Sequence, residues 1–203
     1  MAETIGFSYA RIAMLDGTTE KVLLADAGLS ESGIFKVDAP SSKGVISAAI
    51  AGLGPTITKI YGSNRAVGVS GQGAGNVTVT FAVNDLPTEI VNKLSGMKQD
   101  TNGAWYIDTE TKPPFASLEL VSEGNDQKAV HFVLYKGTFA PENRTLQTNN
   151  ESVQRATDSI TFTALNRDSD GRVYAEYWEN DSKVKDEALE ADVFPGAATT
   201  PAA

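Results

Sequence analysis

The sequence predicts a mainly β protein, a β-sandwich or barrel-like sheet with one helix on its flank. Most apolar residues alternate with polar ones along short runs rich in Val, Ile, Thr and aromatic residues, as in strands with one buried face. Gly-rich and Asp-Gly turns separate these runs, and only one segment has the clear apolar spacing of a helix. With 203 residues, 41% of them hydrophobic, the chain can bury a core, and we place a single domain at residues 1–194.

The N-terminal part begins with a predicted strand at residues 7–14. A hairpin-type turn at Asp16 and Gly17 leads into a return strand at residues 21–24. Residues 26–43, rich in Gly, Ser, Ala and Asp, are predicted to be a long mobile loop with at most a short strand at 34–37. Because loops longer than about 12–15 residues are usually functional or mobile, this loop is a candidate contact surface.

Three strands are predicted between residues 45 and 83. Residues 45–51 fit a strand or a helix, and the glycines and proline that follow at once favour a strand. Residues 56–61 alternate clearly. A Gly-rich hairpin connection at 71–75 then leads into the clearest strand, residues 76–83, where four apolar side chains share one face. These four are Val77, Val79, Phe81 and Val83.

One helix is predicted, at residues 86–96. Asn84 or Asp85 can cap it, and Gly96 suits its end. Its apolar stripe consists of Leu86, Ile90 and Leu94, with Val91 beside it. Its predicted outer face consists of Glu89, Asn92 and Lys93. A helix of about ten residues is marginal alone, so we expect it to pack on a sheet.

Four strands are predicted after the Pro113 and Pro114 pair. They span residues 115–121, 128–138, 159–165 and 173–178. Residues 181–192 are charged and fit a short surface helix or an arm. Residues 195–203 are mostly small and are predicted to be a disordered C-terminal tail.

The charge is acidic and unevenly spread. The net charge is −9, and residues 1–80 carry six basic and six acidic side chains, so the whole excess lies in residues 81–203. Tight nucleic-acid binding requires a basic face, so this balance argues against a protein that grips nucleic acid. The excess fits either an ordinary solvated surface or an acidic wall that faces a polyanion.

Residues that catalysis or metal binding would need are missing. The chain has no cysteine and a single histidine, His131, which falls within a predicted strand. Residues 71–75 resemble a phosphate loop, but a strand follows them instead of a helix. Residues 166–171 match the start of a calcium loop, but its twelfth position is Tyr177 and we interpret them as a tight turn. The carboxylates at positions 176, 179 and 181 lack an apolar cluster that would raise a pKa. We therefore predict no catalytic, cofactor-binding or metal-binding residues.

No targeting segment is visible either. The N-terminus lacks a basic and apolar leader, and no apolar run approaches the roughly 20 residues of a membrane span. We expect synthesis in the cytoplasm and no membrane partner.

The helix and the strands after it resemble a known family. Five segments carry the resemblance: NDLPTEIV at 84–91, LSGM at 94–97, PPFA at 113–116, HFVLYKGTF at 131–139 and SITFTAL at 159–165. In this order and spacing they are similar to the major tail proteins, or tail-tube proteins, of long-tailed siphophages of Gram-positive bacteria. The likeness extends from about residue 44 to residue 165.

This resemblance implies a β-sandwich tail-tube domain that assembles as hexameric rings. Stacked rings form a tube with an acidic lumen, through which DNA passes without specific binding during ejection. It implies tape-measure and tail-terminator or distal tail proteins as partners, and no cofactor. It also implies that the protein is synthesised in the host cytoplasm and becomes part of the virion tail.

Two other interpretations are carried forward. One is the inner tube of a contractile tail or of a type VI-like apparatus, which a neighbouring sheath-protein gene would favour. The other is a β-sandwich surface or adhesion module, which would display exposed aromatic residues on its binding surface. Trp105, Tyr106, Tyr177 and Trp178 are the candidates for such a surface.

Overall fold

The computed structural model describes residues 4–140 and 158–198 of the chain. Twelve strands lie in this part, of which eight form one antiparallel sheet in the order β2-β1-β9-β10-β11-β6-β3, with β12 also paired to β10. The strands are β1 (Thr4–Leu15), β2 (Ile34–Val37), β3 (Val45–Ala51), β4 (Thr58–Gly62), β5 (Arg65–Ser70), β6 (Thr78–Val83), β7 (Lys98–Gln99), β8 (Trp105–Tyr106), β9 (Phe115–Gly124), β10 (Ala129–Ala140), β11 (Asp158–Leu165) and β12 (Tyr174–Trp178). The helices are α1 (Ala39–Ser42), α2 (Thr88–Leu94) and α3 (Asp186–Val193).

The sheet curls around the larger of two apolar cores. Its free edge strand β3 approaches β1 without pairing to it, so the inner faces of both ends of the sheet meet in one cluster. Val79, Phe81, Phe139 and Phe162 form the middle of this main core, and all four are fully or almost fully buried. The predicted β-sandwich with a flanking helix is confirmed.

Helix α2 closes one side of the main core. The predicted stripe of Leu86, Ile90 and Leu94 is buried against the sheet, as expected from the i+4 spacing. The regular helix begins at Thr88, two residues later than predicted, because Pro87 holds an extended backbone at the N-cap. The chain turns away at Gly96, which has φ +76° and lies so close to the Lys112 carbonyl that a Cβ would clash.

Two residues of the predicted outer face of α2 are wholly or partly buried. Asn92 is buried, and the Lys93 ammonium donates to the Gly28 carbonyl at 3.1 Å, because the segment before β2 folds across this side of the helix. Glu89 is exposed, as predicted.

The segment 16–43 is more structured than predicted. Asp16 starts a tight turn, but residues 21–24 make only one isolated bridge, between Val22 and Leu15, instead of a return strand. The strand that pairs with β1 is β2, which lies inside the predicted loop 26–43. Leu29 and Val37 of this segment are buried, and Asp38 with Ser41 forms a capping box that starts α1. The small polar residues that suggested a loop therefore serve as caps and turns.

Helix α3 covers the outer surface of the sheet over β1, β9 and β10. Leu189, Val193 and Phe194 pack there on Ala13 and Tyr135 in a second, smaller core. Residues 181–192 were predicted as a surface helix or arm, and a packed helix is what forms. The chain remains attached beyond it: the Pro195 carbonyl accepts from the Val22 amide at 2.8 Å, and the Ala198 amide donates to Ser32. The predicted tail thus begins no earlier than residue 199, and residues 199–203 lie outside the described residues.

No helix in the described part of the chain is long and apolar enough to span a membrane.

Candidate assembly surfaces

A projecting hairpin is the first feature that the fold leaves without a partner. Strands β4 and β5 pair only with each other and with no other strand of the described residues. We call residues 52–76, which include both strands, the arm. At its root the two chain segments cross so closely that a Cβ on Gly52 would lie 1.9 Å from the Asn76 carbonyl oxygen, and one on Gly75 would lie 2.2 Å from the Gly54 carbonyl oxygen. Glycine is therefore required at both places for the arm to leave the sheet here.

The sequence pattern predicted β4 but not β5. The two are joined at Ser63 and Asn64, which both have positive φ, at 51° and 62°. Two such residues form the tight turn that suits a two-residue hairpin loop. Asn64, followed by the alternating residues 66–69, was the signal that could have revealed it.

The arm is apolar on both faces and exposed. Tyr61 and Val69 share one face, each 68% exposed, while Ile60 is 51% exposed on the other, opposite Gly68. An isolated two-stranded hairpin in water is marginal, because neither face is covered. Its only charged residues, Lys59 and Arg65, are basic, although the chain carries −9. The arm is thus an apolar, basic element on an acidic protein.

The second feature is the outer surface of β3, β6, β11 and the end of β10. Its cross-strand rows contain only small uncharged residues, and we call it the hydroxyl face. The rows are Ala51, Thr78, Thr163 and Thr138; Ala49, Thr80, Thr161 and Ala140; and Ser47, Ala82 and Ser159. The alternate residues of the same strands, such as Val79 and Phe162, lie in the main core. The smaller core under α3 contains no residue of this face.

Charged side chains of the sheet are concentrated under and beside α3 instead. Glu119 of β9 is fully buried, paired with the Arg11 guanidinium through two hydrogen bonds and with His131 Nδ1 at 2.8 Å. His131 Nε2 lies 3.3 Å from Glu179, and Arg11 also reaches Glu190 of α3. Burial by itself would raise the pKa of Glu119, but hydrogen bonds from His131 and Arg11 outweigh it and hold the pKa below its ordinary value. For His131 burial opposes the charge, and the bonds to Glu119 and Glu179 raise its pKa.

A second polar cluster fastens the end of α3. Asp192 accepts hydrogen bonds from the hydroxyls of Tyr135 and Tyr177 at 2.8 and 2.7 Å, and it pairs with Arg167 and Arg172. Burial would raise the pKa of Asp192, but these donors hold it below its ordinary value. Arg167 also stacks on the Tyr135 ring, so the helix is joined to β10, β12 and the loop before β12.

The residues weighed above as possible catalytic or metal-binding groups make contacts that stabilise the fold. His131 lies buried on β10 between two carboxylates. In the calcium-like loop, Asp168 binds Lys136 and Asp170 binds Arg167, which lowers the pKa of Asp170 to about 2. Residues 71–75 form the returning root of the arm, not a hairpin connection, because β5 and β6 do not pair. Among the described residues, no group of three or more His, Asp or Glu side chains is placed to hold a metal ion.

The surfaces left over are therefore an apolar arm and a neutral sheet face, which suit assembly rather than chemistry. The sequence model of the family described as phage tail tube protein matches residues 1–202. The chain belongs to this family. No curated protein matches it.

As a member of the phage tail tube protein family, the chain is a structural component of the virion tail and not an enzyme. It assembles with copies of itself into a tube and associates with other tail proteins. The predicted membership of the tail-tube protein family is thereby confirmed.

Proposed function

We propose that this chain forms hexameric rings that stack into the tube through which DNA leaves the phage. The observation that supports this proposal most strongly is the match of nearly the whole chain to the tail tube family. In this proposal the tube surrounds a tape-measure protein and is bounded by tail-terminator and distal tail proteins.

We propose further that the hydroxyl face lines the lumen. A protein-binding surface usually contains aromatic and Arg anchors, and a DNA-binding surface contains basic residues. This face has neither, since its rows hold only Ser, Thr and Ala. Such a surface offers moving DNA no counterion-releasing contact and no side chain to stack on.

The lumen is acidic as a whole in this proposal, because each subunit contributes a net charge of −9. No charged residue belongs to the rows of the hydroxyl face, so in this proposal the repulsion comes from carboxylates outside these rows. Its range is about one Debye length, roughly 8–10 Å at physiological salt, which is enough to hold a polyanion off the wall.

Electron microscopy of the concentrated purified protein tests the proposal. We expect tubes whose cross-section shows six subunits around an open channel. Solid filaments, or rings of another symmetry, would overturn the hexameric tube. A sheath-protein gene beside this one would instead assign the same tube to a contractile tail.

A further inference from the structure

The arm needs a receiving surface on another copy, and the structure offers a groove that fits it. The groove has a volume of about 300 Å³ and lies between the N-terminal half of β1 and the free edge of β3. Phe7, Ala48, Ile50, Leu120 and Phe132 supply its apolar lining. Here the main core reaches the surface, because four of these five side chains are only partly buried.

The groove exists because β1 leaves its ladder at this point. The pairing of β1 with β9 shifts register between Ile5 and Tyr9, and Gly6 within the shift has φ +72°. A bulge of this kind re-aims the strand and opens the gap toward β3. The outer backbone groups of β3 pair with no strand of the described residues, which leaves an edge that another strand can join.

We infer that the arm of one copy seats in this groove on the next copy, with a strand of the arm beside β3. This rests on the proposed tube, since family membership makes a second copy the partner. Apolar side chains of the arm cover the exposed part of the core. Lys59 and Arg65 of the arm approach a protein of opposite net charge.

The inferred contact joins two different surfaces. Repeated head to tail, such a contact closes into a ring or continues along a tube, as the proposed assembly requires. Another open hollow, lined by Leu53, Ala74 and Tyr174, is a weaker candidate because the root of the same copy's arm forms part of its wall.

Cysteine cross-linking tests the inference cleanly, because the chain contains no native cysteine. Val69→Cys marks the arm and Ala48→Cys marks the groove. Ala49→Cys is the matched control, since it is the adjacent residue of β3 but points to the hydroxyl face. Single variants are mixed, assembled and treated with a short bifunctional thiol reagent.

We expect a covalent dimer from the Val69→Cys and Ala48→Cys mixture and none from the Val69→Cys and Ala49→Cys mixture. Tubes without the first dimer would overturn the arm-in-groove contact and leave the proposed function intact. A dimer through Ala49→Cys would place the arm on the hydroxyl face and overturn it too. If the wild-type protein forms no tubes at all, the proposed function itself fails.

Charged variants provide a second measurement. Val69→Lys spoils the apolar face of the arm and Ala48→Lys repels its basic residues, so each folded variant alone should stay monomeric. Mixing the two leaves one intact arm and one intact groove, and we expect a bounded heterodimer by analytical ultracentrifugation. Ala49→Lys should not replace Ala48→Lys in this test. Folded variants that remain monomeric when mixed would contradict the inference.

Discussion

The strand register of this fold places buried charged side chains next to one another. Arg11 of β1 and Glu119 of β9 are direct cross-strand neighbours, and His131 of β10 lies diagonally from Glu119. The register thus brings one carboxylate between two donors, and both bond to it. A buried ion pair of this kind contributes little net stability, but removing one partner is costly because the other charge is left buried.

We therefore expect Glu119→Gln to lower the free energy of unfolding by about 3 kcal/mol, since it leaves Arg11 without its main counter-charge. Glu123→Gln is the matched control on the same strand, at an exposed position, and should cost less than about 0.5 kcal/mol. Urea denaturation of both variants provides the comparison. Equal costs would mean that the Glu119 network adds nothing to the fold.

His131 gives a pH dependence whose sign follows from its raised pKa. A histidine with a folded-state pKa above its ordinary value of 6.5 stabilises the fold fully below that value, and the contribution is lost as pH rises through the folded pKa. We expect the stability of the wild type to fall as the pH rises above the ordinary histidine pKa of 6.5, and His131→Gln to flatten that slope. Denaturation series at several pH values would measure it. An unchanged slope would assign the dependence to another group.

Helix α2 is the element whose packing is easiest to test. Leu94 is 2% exposed in the main core, so Leu94→Ala should cost about 2–5 kcal/mol. Thr88→Ala, on the exposed first turn, should cost less than about 0.5 kcal/mol. Lys93 is no control, because it bonds the Gly28 carbonyl. Similar losses from the two variants in chemical denaturation would show that the helix packs differently.

The arm depends on glycine at its root. In Gly75→Ala the added Cβ would meet the Gly54 carbonyl at 2.2 Å, so the arm must shift and tube formation should be lost. Gly54→Ala is the control a few ångströms away, because nothing lies within 4 Å of its Cβ. Thermal unfolding should show the main sheet still folded in both variants. Normal tubes from Gly75→Ala would show that the arm does not need this geometry.

The assembled virion tests whether the hydroxyl face lines the lumen. Thr80→Lys places a cation in the middle of the hydroxyl face, where it would release counterions from DNA and retard it. We expect virions with this variant to assemble but to eject DNA more slowly, most strongly at low salt. Thr80→Ala, which keeps the face neutral, should eject like wild type. Equal ejection rates of the lysine variant and wild type at low salt would place this face away from the channel.

Much of the fold could be predicted from the sequence, because a strand with one buried face has apolar residues at every second position. The strands at β6, β9, β10, β11 and β12 and the Leu86, Ile90 and Leu94 stripe were predicted for this reason. β5 was missed because both faces of the arm are exposed, so no buried face imposed an apolar pattern. β2 was only partly recognised because it is an edge strand of four residues.

The sequence by itself determined the β class, the flanking helix, the acidic balance and the likeness to tail-tube proteins. Local patterns and composition are enough for these, since each is written in neighbouring residues. Only the tertiary structure decided that Glu119 lies between Arg11 and His131, and that the outer rows of β3, β6 and β11 join into one neutral face. It also decided that the arm and the groove are separate surfaces. These depend on which strands become neighbours, and strand pairing across a long sequence separation is set by the packing of the whole sheet.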